Sequence, residues 1–295
     1  MRVLIIGCGY IGLALGRALK ALGHEVAGVR RPSAAAAQEL EAVGITPILA
    51  DITVPGALPC PPNTFDVVVN CVAPQGGGVE RYRAVYAGGL RNLVDWLSSA
   101  PSRLLVYTSS TGVYGQDDGS VVTESSITEP STETGCVLVE AEQLLSQAHE
   151  QGRVKPIILR LAGIYGPGRG YWLRRLRGGE LATRDDENDR LVNMIHQDDV
   201  VGAVLAVIER GHPGEIYNVV DDWPVSVREM RMSRLFSPLA SAAAISTENS
   251  PPARGNRPRA TNKRVSNSKL KAATGWRPKY PSFEEGFAHE LHDAT

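Results

Sequence analysis

Val3-Leu4-Ile5-Ile6-Gly7-Cys8-Gly9-Tyr10-Ile11-Gly12 is the stretch on which the fold turns. Four consecutive apolar residues suit a central parallel strand buried on both faces. The glycines that follow have G-x-G-x-x-G spacing. Beyond them Ile11, Leu13, Leu15, Ala18, Leu19 and Leu22 make one helical face, closed by Gly23-His24. Strand, glycine turn and helix in this order form a dinucleotide-binding corner. Gly7 permits the tight turn, Gly9 removes a side chain that would obstruct a pyrophosphate, and Gly12 lets helix and strand approach. Tyr10 and Ile11 lie in the same corner, where the helix N-terminus offers N–H groups and partial positive charge.

Working outward, Glu25 to Val29 reads as a second strand, followed by Arg30-Arg31-Pro32 about 18 residues after Gly12. An acidic residue there would bind the ribose 2′-hydroxyl of NAD. Arginine instead meets a 2′-phosphate with a planar fork, so NADP(H) is expected in preference to NAD(H). The alternative is a solvated basic turn. Asp51, ending the third strand, either accepts a hydrogen bond from the adenine amine or caps the next turn.

Further strands are expected over 46–50, 66–71, 103–108, 156–161 and 215–220, with helices from about Tyr82 to Ser98 and Thr134 to Ala148. The alternation predicts an α/β protein: a Rossmann-type doubly wound parallel sheet with a smaller C-terminal substrate region. Residues 1–165 plus about 192–222 are expected to form the dinucleotide-binding domain. About 166–191 plus 223–295 are expected to form the substrate-binding region. Within it, 238–262 reads as a long loop, a linker rather than a lid.

The charge balance, 31 Lys+Arg against 32 Asp+Glu, offers no global attraction to nucleic acid or an anionic membrane. The expected partner is a small molecule, and a homodimer is left open. Cys8, Cys60, Cys71 and Cys136 have no C-x-x-C spacing, which suits reduced thiols and a cytoplasmic location. No apolar run reaches the roughly 20 residues of a bilayer span. The glycines after Ile6 also break any secretory signal. No His and Cys cluster has metal-ligand spacing, so no metal is expected.

Four more segments carry a resemblance: Tyr107-Thr108-Ser109-Ser110-Thr111-Gly112-Val113-Tyr114-Gly115, Arg160-Leu161-Ala162-Gly163-Ile164-Tyr165-Gly166-Pro167-Gly168-Arg169, Ile195-His196-Gln197-Asp198-Asp199-Val200 and Tyr217-Asn218-Val219. With the glycine turn, they make the chain resemble the extended short-chain dehydrogenase/reductase family, which includes NAD-dependent sugar epimerases and dehydratases. The resemblance implies that Cys71, Val72 and Ala73 line the path to the nicotinamide. It also implies that Ser110 hydrogen-bonds the reacting oxygen, that Ser109 lies beside the cofactor, and that Ala162, Gly163 and Ile164 flank the nicotinamide ring.

The family's Tyr-x-x-x-Lys pair is missing. Thr134 and Leu138 stand at the matching places, and no lysine in the chain has a tyrosine four residues before it. The tyrosine of that pair moves the proton, its pKa lowered from about 10 by the neighbouring ammonium; threonine does not titrate there. Thr134 can still hydrogen-bond a substrate, and Leu138 extends the stripe of Ala141, Leu145 and Ala148.

Other proton carriers are open by motif position. Tyr114 and Tyr165 are two, although tyrosines in such turns usually pack. His196 has the suitable intrinsic pKa, yet its place before Asp198-Asp199 suits ordering a turn between domains. Glu133 and Cys136 flank the vacant tyrosine position. Tyr165 and His196 are also expected substrate contacts, and for a substrate anion Arg169 at the cleft mouth is preferred. Arg174, within Tyr171 to Arg177, either joins it or belongs to an exposed amphipathic helix.

The expectation is an NADP(H)-dependent oxidoreductase of atypical mechanism acting on a small polar or anionic substrate. The alternatives are an epimerase or dehydratase with tightly held cofactor, and a non-catalytic NADP(H)-binding sensor.

Overall fold

The computed structural model describes residues 1–74, 76–100, 103–172, 174, 189–233, 235 and 261–292. Most of the loop expected over 238–262 therefore lies outside the described residues. In chain order the elements are β1 (Arg2–Ile6), α1 (Tyr10–Ala21), β2 (Glu25–Arg30), α2 (Ala34–Glu41), β3 (Thr46–Leu49), β4 (Val67–Asn70) and α3 (Gly78–Tyr82). A π-helical turn, Arg83–Gly89, joins α3 to α4 (Leu90–Leu97). Next come β5 (Leu104–Ser110), β6 (Val121–Val122), α5 (Glu133–Glu150), β7 (Lys155–Leu161), β8 (Gly163–Tyr165), β9 (Leu191–Val192), β10 (Met194–His196), α6 (Gln197–Arg210) and β11 (Ile216–Val219). The chain continues through β12 (Val225–Ser226), α7 (Val227–Met232), β13 (Arg264–Val265), α8 (Ser268–Thr274) and α9 (Phe283–His292).

Seven strands form one parallel sheet in the order β11-β7-β5-β4-β1-β2-β3. The chain builds outward from β1 to β3, then crosses back to lay β4 on the other side of β1. In such a doubly wound sheet, the strand ends part at that reversal and leave a crevice.

Strand residues alternate between two cores. Val3 and Ile5 of β1 face Leu15 and Leu19 of α1 and Val204 and Val207 of α6, whereas Leu4 and Ile6 face Leu90 and Leu93 of α4 and Leu145 of α5. Across the π turn the chain changes partners: Val85 lines the cleft, while Leu90 enters the second core.

A buried polar network crosses the second core. The Arg160 guanidinium on β7 donates to both oxygens of Glu142 on α5, from Nε at 3.1 Å to each and from Nη2 at 2.7 Å. Ser109 Oγ donates to Glu142 Oε1 at 2.6 Å, and Arg160 Nη1 donates to the Tyr114 hydroxyl at 2.8 Å. Tyr114 in turn donates to Asn218 Oδ1 at 2.8 Å. Two charges can be buried here because their hydrogen-bonding groups meet partners.

A third cluster, with Tyr165, Trp172, Met194, Val225, Met230, Phe283 and Phe287, lies beyond the sheet. The segment after residue 260 does not belong to it alone. Strand β13 pairs with β6, and Val265, Leu270 and Trp276 enter the first core. The Lys263 ammonium, itself buried, donates to the Tyr114 carbonyl at 2.8 Å and to Thr261 Oγ1 at 2.9 Å. The expected division near residue 222 thus does not hold for this return.

Truncating Glu142 to Ala leaves the Arg160 charge buried without its partner. It should lower the unfolding free energy, measured in urea, by about 3–5 kcal/mol. Burial pushes Lys263 down from 10.5 to about 8. Between those values the unfolded chain binds the extra proton, so the stability contributed at this site rises with pH. The stability of the parent protein relative to Lys263→Met should therefore increase by about 2–3 kcal/mol between pH 7 and pH 10.

Candidate functional site

At the strand reversal lies a cleft of about 1040 Å³, at the upper end of the roughly 300–1,000 Å³ usual for ligand sites. The glycine turn forms its floor. Gly7 has φ +89°, and a Cβ there would sit 2.7 Å from the Val72 backbone. Its N–H and that of Cys8 both donate to the Val29 carbonyl, at 3.0 and 3.2 Å. A Cβ on Gly12 would come within 2.5 Å of the Gly7 carbonyl oxygen, so Gly12 serves packing and is not on the cleft wall. A Cβ on Gly9 would meet nothing within 4 Å. Gly9 therefore borders open space, beside the N-terminus of α1, which no side chain caps. The backbone amides at the start of α1 and the space beside Gly9 fit a pyrophosphate.

At the β2–β3 end, Arg30, Arg31, Ser33, Asp51 and Thr53 line the cleft, and Arg81 of α3 joins them. Arg30 is ion-paired with Glu39 of α2. Asp51 Oδ1 accepts from Thr53 N at 2.9 Å and Thr53 Oγ1 at 2.7 Å, which is the turn-capping geometry. Desolvation opposes its ionisation. The Thr53 hydrogen bonds and the Arg81 and Arg31 guanidiniums outweigh that, holding the carboxyl below the usual range.

At the β5–β7 end the walls are Cys71, Val72 and Ala73 after β4, Thr108, Ser109 and Ser110 of β5, Leu138 of α5, and Leu161 to Ile164. Ser110 Oγ accepts from Gly112 N at 3.1 Å. Arg169 also lines the cleft, its guanidinium 5.1 Å from the centroid of the Tyr10 ring. From α3 and the π turn come Tyr82 and Tyr86, ring centroids 5.3 Å apart. Burial raises the Tyr86 phenol above its ordinary value, with Tyr82 adding to the shift. Burial likewise pushes the Cys8 thiol up to about 12.

Several expected residues stand elsewhere. Tyr114 is fully buried and its hydroxyl is committed to Arg160 and Asn218, so it does not face a substrate. Tyr165 is buried in the third cluster, stacked on Phe287 at 4.5 Å. His196 is a helix cap rather than a substrate ligand. Its Nδ1 accepts from Asp198 N at 3.1 Å and its Nε2 meets Glu290 Oε1 at 3.0 Å. Thr134 is half-buried in the first turn of α5, donates to Thr132 Oγ1 at 3.3 Å, and is not on the cleft wall. Arg174 is exposed and also off the wall, and Glu133 and Cys136 are exposed. In each case a tertiary neighbour or the helix face, not the local motif, sets the direction of the side chain.

A family model described as the NAD dependent epimerase/dehydratase family matches residues 3–219. The chain belongs to the NAD dependent epimerase/dehydratase family. Among relatives of this epimerase/dehydratase chain, protein YeeZ of Escherichia coli strain K12 is 30% identical over 225 residues, covering 74% of this chain and 77% of YeeZ. A 3-diazoavenalumate denitrifying reductase from a Streptomyces species is 26% identical over 323 residues, covering 98% of this chain and 100% of the relative. The solved structure of a functionally unknown conserved protein from Silicibacter pomeroyi DSS superimposes with TM-score 0.73 at 29% identity, covering 99% of both chains.

Among the described residues of this family member, no group of three or more His, Cys, Asp or Glu could hold a metal. No described helix is long and apolar enough to cross a membrane. Sequence reading missed Arg81, Tyr82 and Tyr86. The signal for them was positional: segments leaving the carboxyl ends of parallel strands line the crevice, and Tyr82 and Tyr86 are an i, i+4 pair on one helix face.

Gly9→Ala should leave the thermal transition of the protein unchanged, since the added methyl meets nothing. It should weaken binding of a reduced nicotinamide dinucleotide, followed by its fluorescence, at least about tenfold because the methyl projects toward the phosphate cradle.

Proposed function

We propose that this protein is an NADP(H)-dependent oxidoreductase acting on a small polar or anionic substrate, with its own arrangement for proton transfer. The observation that carries this reading is one continuous cleft. It runs from Arg30 and Arg31, past the Gly7 to Gly12 turn, to a chamber walled by Ser110, Leu138, Tyr86 and Arg169. The relatives support a redox reaction, one of them being named a reductase.

The backbone amides of Tyr10 and Ile11 at the start of α1 hold the pyrophosphate, and Arg31 after β2 favours a 2′-phosphate. Cys71 to Ala73 and Ala162 to Ile164 enclose the nicotinamide, which supplies hydride when bound. Leu138 and Leu161 keep that chamber apolar and exclude water. The Ser110 hydroxyl orients the substrate oxygen or nitrogen, and Arg169 offers a fork to a substrate carboxylate or phosphate. Tyr86 supplies the proton. A phenol is protonated at neutral pH, so Tyr86 donates its proton to the substrate as hydride arrives and is reprotonated from solvent afterwards.

The family description favours a second reading, an epimerase or dehydratase that returns the hydride to its own substrate. Its mark is NADP retained through purification without net consumption.

The purified protein should oxidise NADPH with members of a carbonyl, imine and enone panel. Tyr86→Phe should lower that rate at least about 100-fold with NADPH binding unchanged. Tight NADPH binding with no oxidation by any member of the panel, and no retained NADP, contradicts both readings.

A further inference from the structure

Three arginines line the cleft near Asp51, and they are not equivalent. Arg30 is held by Glu39. Arg31 belongs to the turn after β2 and lowers the Asp51 carboxyl from that side. Arg81 comes from a different part of the chain, on α3, after the strand β4 that lies on the other side of β1. It is half-buried, yet it makes no hydrogen bond and no ion pair of 4 Å or less among the described residues. Its electrostatic partner is Asp51, whose Oδ1 is already engaged by Thr53. On the cleft wall with its donors unbonded to the described residues, the Arg81 guanidinium is placed to receive an anion.

The side chain is also held. Arg81 lies against Gly77, where an added Cβ would come within 2.7 Å of Arg81 Cβ and 3.0 Å of Cγ. Gly77 has φ +89°, a conformation that glycine adopts freely, so the loop supplies a bare backbone for the arginine stem. With Arg30 paired to Glu39, Arg31 and Arg81 are the two guanidiniums that act on Asp51. An anion held between them would be gripped from two separate chain segments, with planar forks suited to phosphate.

We infer that Arg81 is a specificity-determining residue for the cofactor, contacting the 2′-phosphate of NADP(H) from a different chain segment than Arg31. This rests on the NADP(H) reading above and deepens it.

The test is binding, independent of any substrate. Dissociation constants for NADPH and NADH are measured by nicotinamide fluorescence, and those for 2′,5′-ADP and 5′-AMP by calorimetry. The parent protein, Arg81→Ala and Arg81→Lys are compared, with thermal unfolding as the control for folding. Arg81→Ala should weaken NADPH and 2′,5′-ADP at least about tenfold, while NADH and 5′-AMP change less than about twofold. Arg81→Lys should recover part of the loss, since it restores charge without the fork. An equal loss for both members of each pair overturns the inference, because it assigns Arg81 to the adenosine or to the fold. Unchanged NADPH affinity overturns it as well. A parent protein that binds NADPH no better than NADH overturns the NADP(H) reading itself. A parent preference that survives Arg81→Ala overturns only the role of Arg81.

Discussion

The cleft depends on one close approach of backbone to backbone. Gly7 passes the Val72 main chain so tightly that a Cβ would come within 2.7 Å of it. Because β1 and β4 are neighbours at the reversal of strand order, this contact brings the two loops that leave them side by side before they diverge. One leads into α1, whose uncapped N-terminus then points along the cleft floor. The other leads through Cys71 to Ala73 toward α3 and its arginine. A side chain at position 7 would need a strained φ and a displaced partner strand, and both ends of the cleft would move with it.

The opposite side of the cleft is fixed by polar rather than backbone contact. Ser109 and Ser110 are adjacent at the end of β5, yet the first is bound into the Glu142–Arg160 network and the second caps the turn at Gly112. Alternation along a strand makes this division possible. The buried ion pair anchors α5 to β7, and Leu138 on the same helix forms part of the cleft wall. Fold stability and the chemistry of the site therefore meet at one pair of serines, with separable consequences for mutations of Glu142 and Ser110.

A second coupling runs through His196. As the cap of α6 it joins that helix to Glu290 of α9, while its neighbour Gln197 donates to the Tyr10 carbonyl at 2.8 Å. The glycine turn is thereby tied to the C-terminal helix. A motif histidine next to two aspartates looks like a titrating group, but here it organises the junction of two apolar clusters.

The positions of the seven strands of the main sheet, and the glycine turn between the first strand and its helix, were legible in the sequence. They rest on short-range causes: apolar periodicity, glycine sterics and helix termination act within a few residues. Side-chain direction was decided only by the tertiary structure. Tyr114 meets Asn218, 104 positions away, and His196 meets Glu290, 94 positions away, so their motifs pointed to the cleft while their partners drew them out of it. Tyr82 reaches the cleft from the end of α3 and Tyr86 from the π turn that follows it. The arginines divide in the same way. Sequence placed Arg30 and Arg31 after β2, but packing neutralised Arg30 with Glu39 and brought Arg81 from another segment to the same end of the cleft, because charge pairing follows distance in space rather than along the chain.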